Sequence, residues 1–466
     1  MKETIQKLIY VLKKKKEVVI ATVIFLIAVA VAGSFLYAHR QKNLEAEKEK
    51  TTEEATVEEE TPDESSEEEK ETSYELPAIS EVRGVWFSYY DWIALQTEDE
   101  EEFRTKAAGV MEKVSSQNLN TIFVHVHSHS DAYYPSKYVP MSKYAAGEMG
   151  KELSFDPLEI MIEEAHKQGL YFHAWLNPYR VTSNDGKTED GALSFAGVSW
   201  EEIPSNSIVK KWYNSKDSNR NVLYHDGNYF LNPSKEEVQT YLADCVKELV
   251  ENYDVEGVHL DDYFYPSLDD SDAALSFDLQ EYEASGSNLS VADWRRQNVS
   301  KTVKLIYSTV KETDEHVVFG ISPAGNLDNL RSDSMYFTDI DTWLSKDGYL
   351  DYVIPQIYWG FEQKNGDGSL SPSAYENCLA RWCDLPRRDG LQMYIGLALY
   401  RCGLNIKDNN SVSEWSSHSD IIVRQVQSLR QKENISGFCL FDYRDLSREG
   451  AKTEVENLYN FVSEEK

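Results

Sequence analysis

From Val82 onward the chain repeats one pattern, a short run of β-branched and aromatic residues followed by an amphipathic stretch. Residues 82–87, 121–127, 171–176, 257–260, 317–321, 350–356, 393–399 and 437–441 read as strands. Residues 103–117, 157–168, 235–253, 291–313, 375–382, 421–431 and 452–461 read as helices between or after them. Strands that alternate with helices assemble a parallel sheet, because each helix carries the chain back over the sheet to start the next strand. Eight strands separated or followed in this way predict an α/β fold, a closed (β/α)8 TIM barrel with its working face where strands end and loops begin. The alternative, an open doubly wound sheet, would carry a glycine-rich phosphate loop after its first strand, and none follows residue 87. Three connections are long, 177–232, 263–290 and 400–415, and all three leave strand C-terminal ends, so they should wall that face.

The residues before the barrel are of two other kinds. Seven Lys or Arg against two Glu make residues 1–40 basic. Within them Val18 to Ala38 is an apolar run of 21 residues, enough at 1.5 Å per residue to cross a hydrocarbon core of roughly 30 Å. Lys13 to Lys16 precede it, which by the positive-inside rule leaves residues 1–17 in the cytoplasm and everything after Ala38 outside. The run is longer than an ordinary signal-peptide core, so an uncleaved anchor in the lipid bilayer is expected; cleavage near Ala38 would instead give a secreted protein. Residues 39–77 are rich in Glu, Thr, Ser and Lys. Such a segment buries too little apolar surface to offset its chain entropy and is expected to be a disordered, self-repelling spacer. The (β/α)8 domain then spans 78–466.

The net charge of −33 argues against a nucleic-acid partner, which needs a basic face to displace counterions. Five cysteines without a CxxC pair give neither a thiolate zinc site nor a disulfide framework. No cofactor is implied.

The strand ends supply the chemistry. They place Trp86 and Tyr89 at the end of the first strand or just past it, His125, His127 and Tyr134 at or past the end of the second, and His173, Asn177, Tyr179 and Arg180 on or after the third. Asp261, Asp262, Tyr263 and Tyr265 follow the fourth, Ser322 the fifth, Gln356, Tyr358 and Trp359 the sixth, and Asp442 the eighth. Aromatic faces stack on the apolar faces of sugar rings, while amides and carboxylates hydrogen-bond hydroxyls. The sharpest feature is Asp261-Asp262 at the end of a buried strand. Two close carboxyls disfavour joint ionisation, so one should hold its proton near neutral pH, as a general acid must.

The blocks Glu81-Val82-Arg83-Gly84-Val85-Trp86, Tyr133-Tyr134-Pro135-Ser136-Lys137, His173-Ala174-Trp175-Leu176-Asn177-Pro178-Tyr179-Arg180, Asp261-Asp262-Tyr263-Phe264-Tyr265-Pro266, Phe319-Gly320-Ile321-Ser322-Pro323 and Pro355-Gln356-Ile357-Tyr358-Trp359 resemble, in order, the glycosyl-hydrolase-like family ten. The resemblance implies a bacterial-envelope (β/α)8 protein that hydrolyses a glycosidic bond, with peptidoglycan glycan strands the first substrate to consider. His125 and His127 depart from it, since the family usually has Gln and Arg there. Residues 256–261 are more loosely similar to the fourth-strand motif of family-eighteen chitinase-like barrels. That similarity implies an Asp that orients a substrate acetamido group. Tyr263 stands where those barrels carry their acid, so the acid itself is not carried over.

These readings make Asp262 the expected general acid and Asp261 its support or that of the acetamido group, with Asp442 the remote carboxylate. Trp86, Tyr89, His125, His127, Tyr134, His173, Asn177, Tyr179, Arg180, Tyr263, Tyr265, Gln356, Tyr358 and Trp359 are expected to bind a polysaccharide. Two other functions compete. His125, His127 and His129 at alternate positions would share a face if the strand continued, a metal-ligand spacing that Asp442 could join, as in a zinc-dependent sugar deacetylase or amidohydrolase. The same aromatics would also serve an inactive glycan-binding module.

Overall fold

A computed structural model describes residues 76–464 apart from 185, 188–193, 263, 269–275 and 406–411. The expected basic N-terminus, the apolar run from Val18 to Ala38 and nearly all of the acidic spacer lie outside the described residues. Among the described residues no helix is long and apolar enough to cross a membrane.

Eight parallel strands form the centre: β1 (Val82–Phe87), β2 (Thr121–His127), β3 (Tyr171–Leu176), β4 (Gly257–Leu260), β5 (Val318–Ile321), β6 (Tyr352–Val353), β7 (Gln392–Met393 and, after Tyr394, Ile395–Leu397) and β8 (Gly437–Leu440). Each pairs with its neighbour in chain order, and β8 returns to β1 with Val82 opposite Gly437. The two pieces of β7 share the closing seam, the first pairing with β6 and the second with β8. Tyr394 N donates to Val353 O at 3.0 Å and Gly396 N to Pro355 O at 3.0 Å across that seam. The sheet is therefore a parallel barrel, as the strand–helix alternation predicts.

One principal helix follows each strand: α1 (Glu100–Ser116), α2 (Pro157–Lys167), α3 (Glu236–Asn252), α4 (Val291–Thr313), α5 (Ile340–Ser345), α6 (Tyr375–Cys383), α7 (Ile421–Leu429) and α8 (Lys452–Ser463), with shorter helical turns in the connections. Their starts are written in the sequence. Asp99 caps α1 by accepting from Glu102 N, Ser290 caps α4 by accepting from Asp293 N, and Asp156 accepts from Leu158 N and Glu159 N ahead of Pro157. Helix α5 was not expected. It is only six residues long, and its burial rests on Ile340, Trp343 and Leu344.

All of β2 is buried, the condition of a parallel strand covered on both faces. Inside the barrel the side chains are large rings, Trp86, Phe123, Trp175 and Tyr352, packed with Ile354 and Cys439. Glycines on neighbouring strands make room for them. A β-carbon at Gly257 would lie 2.3 Å from His173 Nδ1, and one at Gly320 2.3 Å from Tyr352 Cε2.

The connection from β3 to α3 contains a hairpin, Val222–His225 against Asn228–Leu231. Its second strand lies along the segment that follows β3. Arg180 pairs antiparallel with Phe230, Val181 N donates to Tyr229 O at 3.1 Å, and Leu231 N donates to Tyr179 O at 2.8 Å.

Candidate active site

A cavity of about 250 Å³ opens at the C-terminal ends of the strands, and Trp86, Tyr89, His125, Arg180, Asp261, Asp262, Gln356 and Tyr358 all line it. They come from the C-terminal ends of β1, β2, β3, β4 and β6 or from the turns just beyond, where the barrel opens. Ser88, Tyr90, Trp175, Ser322, Tyr400 and Phe441 complete the wall.

The paired carboxylates occupy different environments. Asp261 is buried and held from two sides. Trp175 Nε1 donates to its Oδ2 at 3.1 Å, and Asn177 Nδ2 lies 3.2 and 3.1 Å from its two oxygens. Asp262, one residue on, is half-buried, and its carboxyl is pushed up to about 7. Burial is the main cause and the charge of Asp261 the second, while a hydrogen bond from Gln356 and the charge of Arg180 pull the other way. A carboxyl that keeps its proton near pH 7 beside one fixed in orientation divides the roles as acid catalysis requires.

His125 is fixed as a neutral donor. The backbone N–H of Tyr89 donates to its Nδ1 at 3.2 Å, which leaves the ring proton on Nε2, and Nε2 faces Asp261 Oδ2 at 4.0 Å. The ring stacks on Trp175 with centroids 3.3 Å apart. Burial, then the charge of Arg180, holds it far below the usual imidazole range. Arg180 lies over the Tyr89 ring at 5.1 Å and donates through Nε to Ser128 O at 3.0 Å.

Beneath the cavity the barrel carries a chain of neutral groups. Trp86 Nε1 donates to His259 Nε2 at 3.4 Å, and Ser322 Oγ meets the same nitrogen at 2.9 Å. His259 Nδ1 therefore carries the proton and faces Tyr352 Oη at 3.1 Å, and that hydroxyl is 3.0 Å from His173 Nδ1. Burial lowers His173 to about 3 and His259 well below its usual range. The chain holds Trp86 and Ser322 in place, and Gln356 Nε2 adds a bond to Ser322 O at 2.7 Å.

Several residues expected at the site stand elsewhere. His173 is in the barrel interior, its Nδ1 taken by Tyr352. Asn177 is behind Asp261 rather than on the cavity wall. Tyr179 is anchored to α4 through Thr302 Oγ1 at 2.8 Å, and Tyr265 bonds Asp278 Oδ2 at 3.0 Å beside Arg295. Tyr134 packs on Tyr253 with centroids 5.2 Å apart and lines a different groove against α3. Trp359 lies off the cavity wall, its carbonyl accepting from Gln425 Nε2 at 3.0 Å. Asp442, expected as the remote carboxylate, is buried in an ion pair, with Arg444 Nη2 2.6 Å from its Oδ2 and Asp91 also facing that arginine at 3.7 Å. Tyr263 lies outside the described residues.

The three histidines at the end of β2 and just past it do not converge. The register shifts between His125 and His127, so the alternation that would align them breaks. His127 is buried off the cavity, lowered to about 4 chiefly by burial. Both ring nitrogens of His129 meet hydroxyls, Ser128 Oγ at 2.9 Å and Ser183 Oγ at 2.8 Å. Among the described residues no group of three or more His, Cys, Asp or Glu is placed to hold a metal ion.

Phe441 and Tyr90 escaped the sequence reading. Phe441 is apolar and ends a strand as core residues do; Tyr90 sits in the short helix Tyr89–Trp92 beside Tyr89, its hydroxyl bonded to that of its neighbour.

Residues 81–416 match the family described as glycosyl hydrolase-like 10. The chain belongs to that family. This glycosyl hydrolase-like 10 protein is 32% identical over 387 residues to glycosyl hydrolase YngK of Bacillus subtilis strain 168, covering 79% of this chain and 69% of the relative. It is 31% identical over 385 residues to glycosyl hydrolase DigH of Escherichia coli strain K12, covering 77% and 82%. It is also similar, at 14% identity and a TM-score of 0.49, to the PgaB (BpsB) glycoside hydrolase domain from Bordetella bronchiseptica, over 81% of this chain and 98% of that one. The carboxylate pair after β4 thus lies inside the segment that defines the family.

Proposed function

We propose that this glycosyl hydrolase-like 10 protein cleaves glycosidic bonds in an N-acetylated cell-envelope glycan, peptidoglycan strands first, with Asp262 as the general acid. The observation that carries this reading is the raised carboxyl of Asp262 beside the fixed carboxylate of Asp261, in a cavity walled by Trp86, Tyr89 and Tyr358. Protonated Asp262 donates to the glycosidic oxygen as the bond from C1 to that oxygen breaks. With Asp442 paired to Arg444, Asp261 is the other carboxylate on the described cavity wall. One residue from the acid, it is suited to accept the N–H of a 2-acetamido group and turn its carbonyl oxygen toward C1. That oxygen bonds C1 as the leaving oxygen departs; ionised Asp262 then takes a proton from a water that adds to C1, and the bond from C1 to the acetamido oxygen breaks to return the acetamido group. Arg180 is the partner for a lactyl carboxylate of a muramic acid, through charge-assisted hydrogen bonds.

The apolar run from Val18 to Ala38 and the acidic spacer would hold this domain outside the cell membrane, close to such a glycan. The test incubates the full-length protein with intact peptidoglycan and with glycan strands stripped of their peptides, and reads products by mass. Saccharides with new reducing ends are expected. Loss of acetyl groups without chain cleavage, or no product from either glycan, would overturn the reading.

A further inference from the structure

Gln356 was expected to bind sugar, and the structure gives its side chain a different neighbour. Its backbone is fixed on both sides. Gln356 bridges in parallel to Ala324, just past β5, and to Gly396 in β7, and its N–H donates to Pro323 O at 3.0 Å. Two glycines allow this fit. A β-carbon at Gly325 would lie 2.2 Å from Gln356 O, and one at Gly396 3.2 Å from Gln356 Cα. A side chain on so fixed a backbone is aimed before any substrate arrives. The amide is also fixed in its orientation. Gln356 Nε2 stands 2.7 Å from Ser322 O. A backbone carbonyl only accepts, so the atom at that distance is the nitrogen and not the oxygen. Ser322 is itself tied down, its N–H donating to Leu260 O at 2.9 Å and its Oγ meeting His259 Nε2 at 2.9 Å. An amide nitrogen carries two hydrogens in one plane. The first is taken by Ser322 O, and the second goes to the Asp262 carboxyl on the same cavity wall.

The chemistry of a protonated carboxyl makes this bond selective. Such a group has one oxygen that carries the hydrogen and one carbonyl oxygen, the better acceptor. An N–H donor pairs with the carbonyl oxygen, which leaves the proton on the other. Once that proton has gone, the same N–H faces a negative charge and bonds it more strongly, because charge-assisted hydrogen bonds are the stronger kind. Among the described residues, Asp261, Arg180, Tyr336 and Tyr358 are the ionisable groups that interact electrostatically with Asp262.

We propose that Gln356 is the positioning residue of the general acid: it holds the carbonyl oxygen of Asp262, keeps the proton on the oxygen turned to the glycosidic bond, and stabilises the carboxylate left when that proton is given away. The proton passes from Asp262 to the glycosidic oxygen, and no atom of Gln356 changes its bonds. Gln356 therefore acts through Asp262 and not on the sugar. This role rests on the acid role given to Asp262 above, and its test separates the two.

The experiment compares the full-length protein with its Gln356→Met form, nearly the same in length and without a donor, each also in an Asp262→Asn background. Denaturant unfolding at pH 4 and pH 8 is the first readout. Without the donor Asp262 resists ionisation more strongly, so the loss in folding equilibrium should be roughly fivefold larger at pH 8 than at pH 4. That pH-dependent part should vanish in the Asp262→Asn background. Kinetics on peptide-free peptidoglycan strands are the second readout. Gln356→Met should lower kcat about 10²-fold with KM held, and the fall of kcat with rising pH should move upward by about one unit. On dinitrophenyl glycosides of the same saccharides the leaving group departs without a proton, and the loss should largely disappear. A stability loss equal at both pH values, or one whose pH dependence survives in the Asp262→Asn background, would overturn the proposal. So would a loss carried by KM and kept on the dinitrophenyl glycosides, the mark of a residue that binds sugar. If the pH-dependent loss is found but the unvaried protein cleaves no glycan, the pairing of Gln356 with Asp262 stands and the hydrolase reading falls.

Discussion

Replacing Asp262 with asparagine should stabilise the folded protein at pH 8 and change its stability little at pH 4. In the unfolded chain the carboxyl titrates at 3.8; in the fold, burial and Asp261 push it up to about 7. Below pH 3.8 both states hold the proton and the site carries no penalty. Between 3.8 and about 7 the folded state alone keeps it, so the stability present at low pH is lost progressively as pH rises through the folded value. Above that the full penalty remains. A rise from 3.8 to about 7 corresponds to about 4 kcal/mol at 1.36 kcal/mol per tenfold. Asp262 keeps some contact with solvent, which screens part of this and leaves a gain of ~2 kcal/mol for the asparagine variant at pH 8. Asparagine has nearly the same shape and no charge, so packing contributes little to the difference. Denaturant unfolding of both proteins at pH 4, 6 and 8 reads the effect directly. A gain that is the same at pH 4 and pH 8, or a loss at pH 8, would refute the claim that the site resists ionisation of Asp262.

The same carboxyl should shape the activity profile: kcat on glycan strands should fall as pH rises through about 7, in a pH–rate series. Asn177→Ala should free Asp261 from one of its two anchors and lower kcat about 10²-fold with little change in KM, since a small misplacement near the reacting atoms costs that much; steady-state kinetics check it. Arg180→Ala should lower kcat/KM about 10–100-fold on muramyl glycans, the loss of a hydrogen bond to a charged group, and far less on glycans without a lactyl carboxylate. Gly257→Ala should cost at least ~1–3 kcal/mol of stability, because the added carbon meets the His173 ring at 2.3 Å; thermal or denaturant unfolding reads it.

The barrel was legible because its strands are short, apolar and separated by helices of clear period. Residues 82–87, 121–127, 171–176 and 257–260 were read at their observed bounds. Departures occur where local chemistry interrupts the ladder. The expected strand 350–356 is regular only at Tyr352–Val353, and Pro355 lacks the N–H to extend it. The expected strand 393–399 divides at Tyr394 because its two halves pair with different neighbours. Helix α5 is too short for period to show.

At the cavity, strand ends located Trp86, Tyr89, His125, Arg180, Asp261, Asp262, Gln356 and Tyr358. Residue type could not separate these from Tyr179 and Tyr265, whose hydroxyls are taken up by Thr302 and Asp278. Nor could it separate them from His173, whose polar atom bonds Tyr352 inside the barrel. A tyrosine or histidine near a strand end has both an apolar body and a polar tip, so the core can satisfy it as well as a ligand can. Asp442 was misplaced for a related reason: Arg444, two residues on, neutralises it locally, and strand position alone does not show which way that arginine turns.

The most direct measurement compares the full-length protein with its Asp262→Asn form on peptide-free glycan strands, products read by mass over time. The account predicts saccharide release by the unvaried protein and a rate at least 10²-fold lower for the variant, the span of general acid catalysis. Equal rates from the two proteins would contradict it.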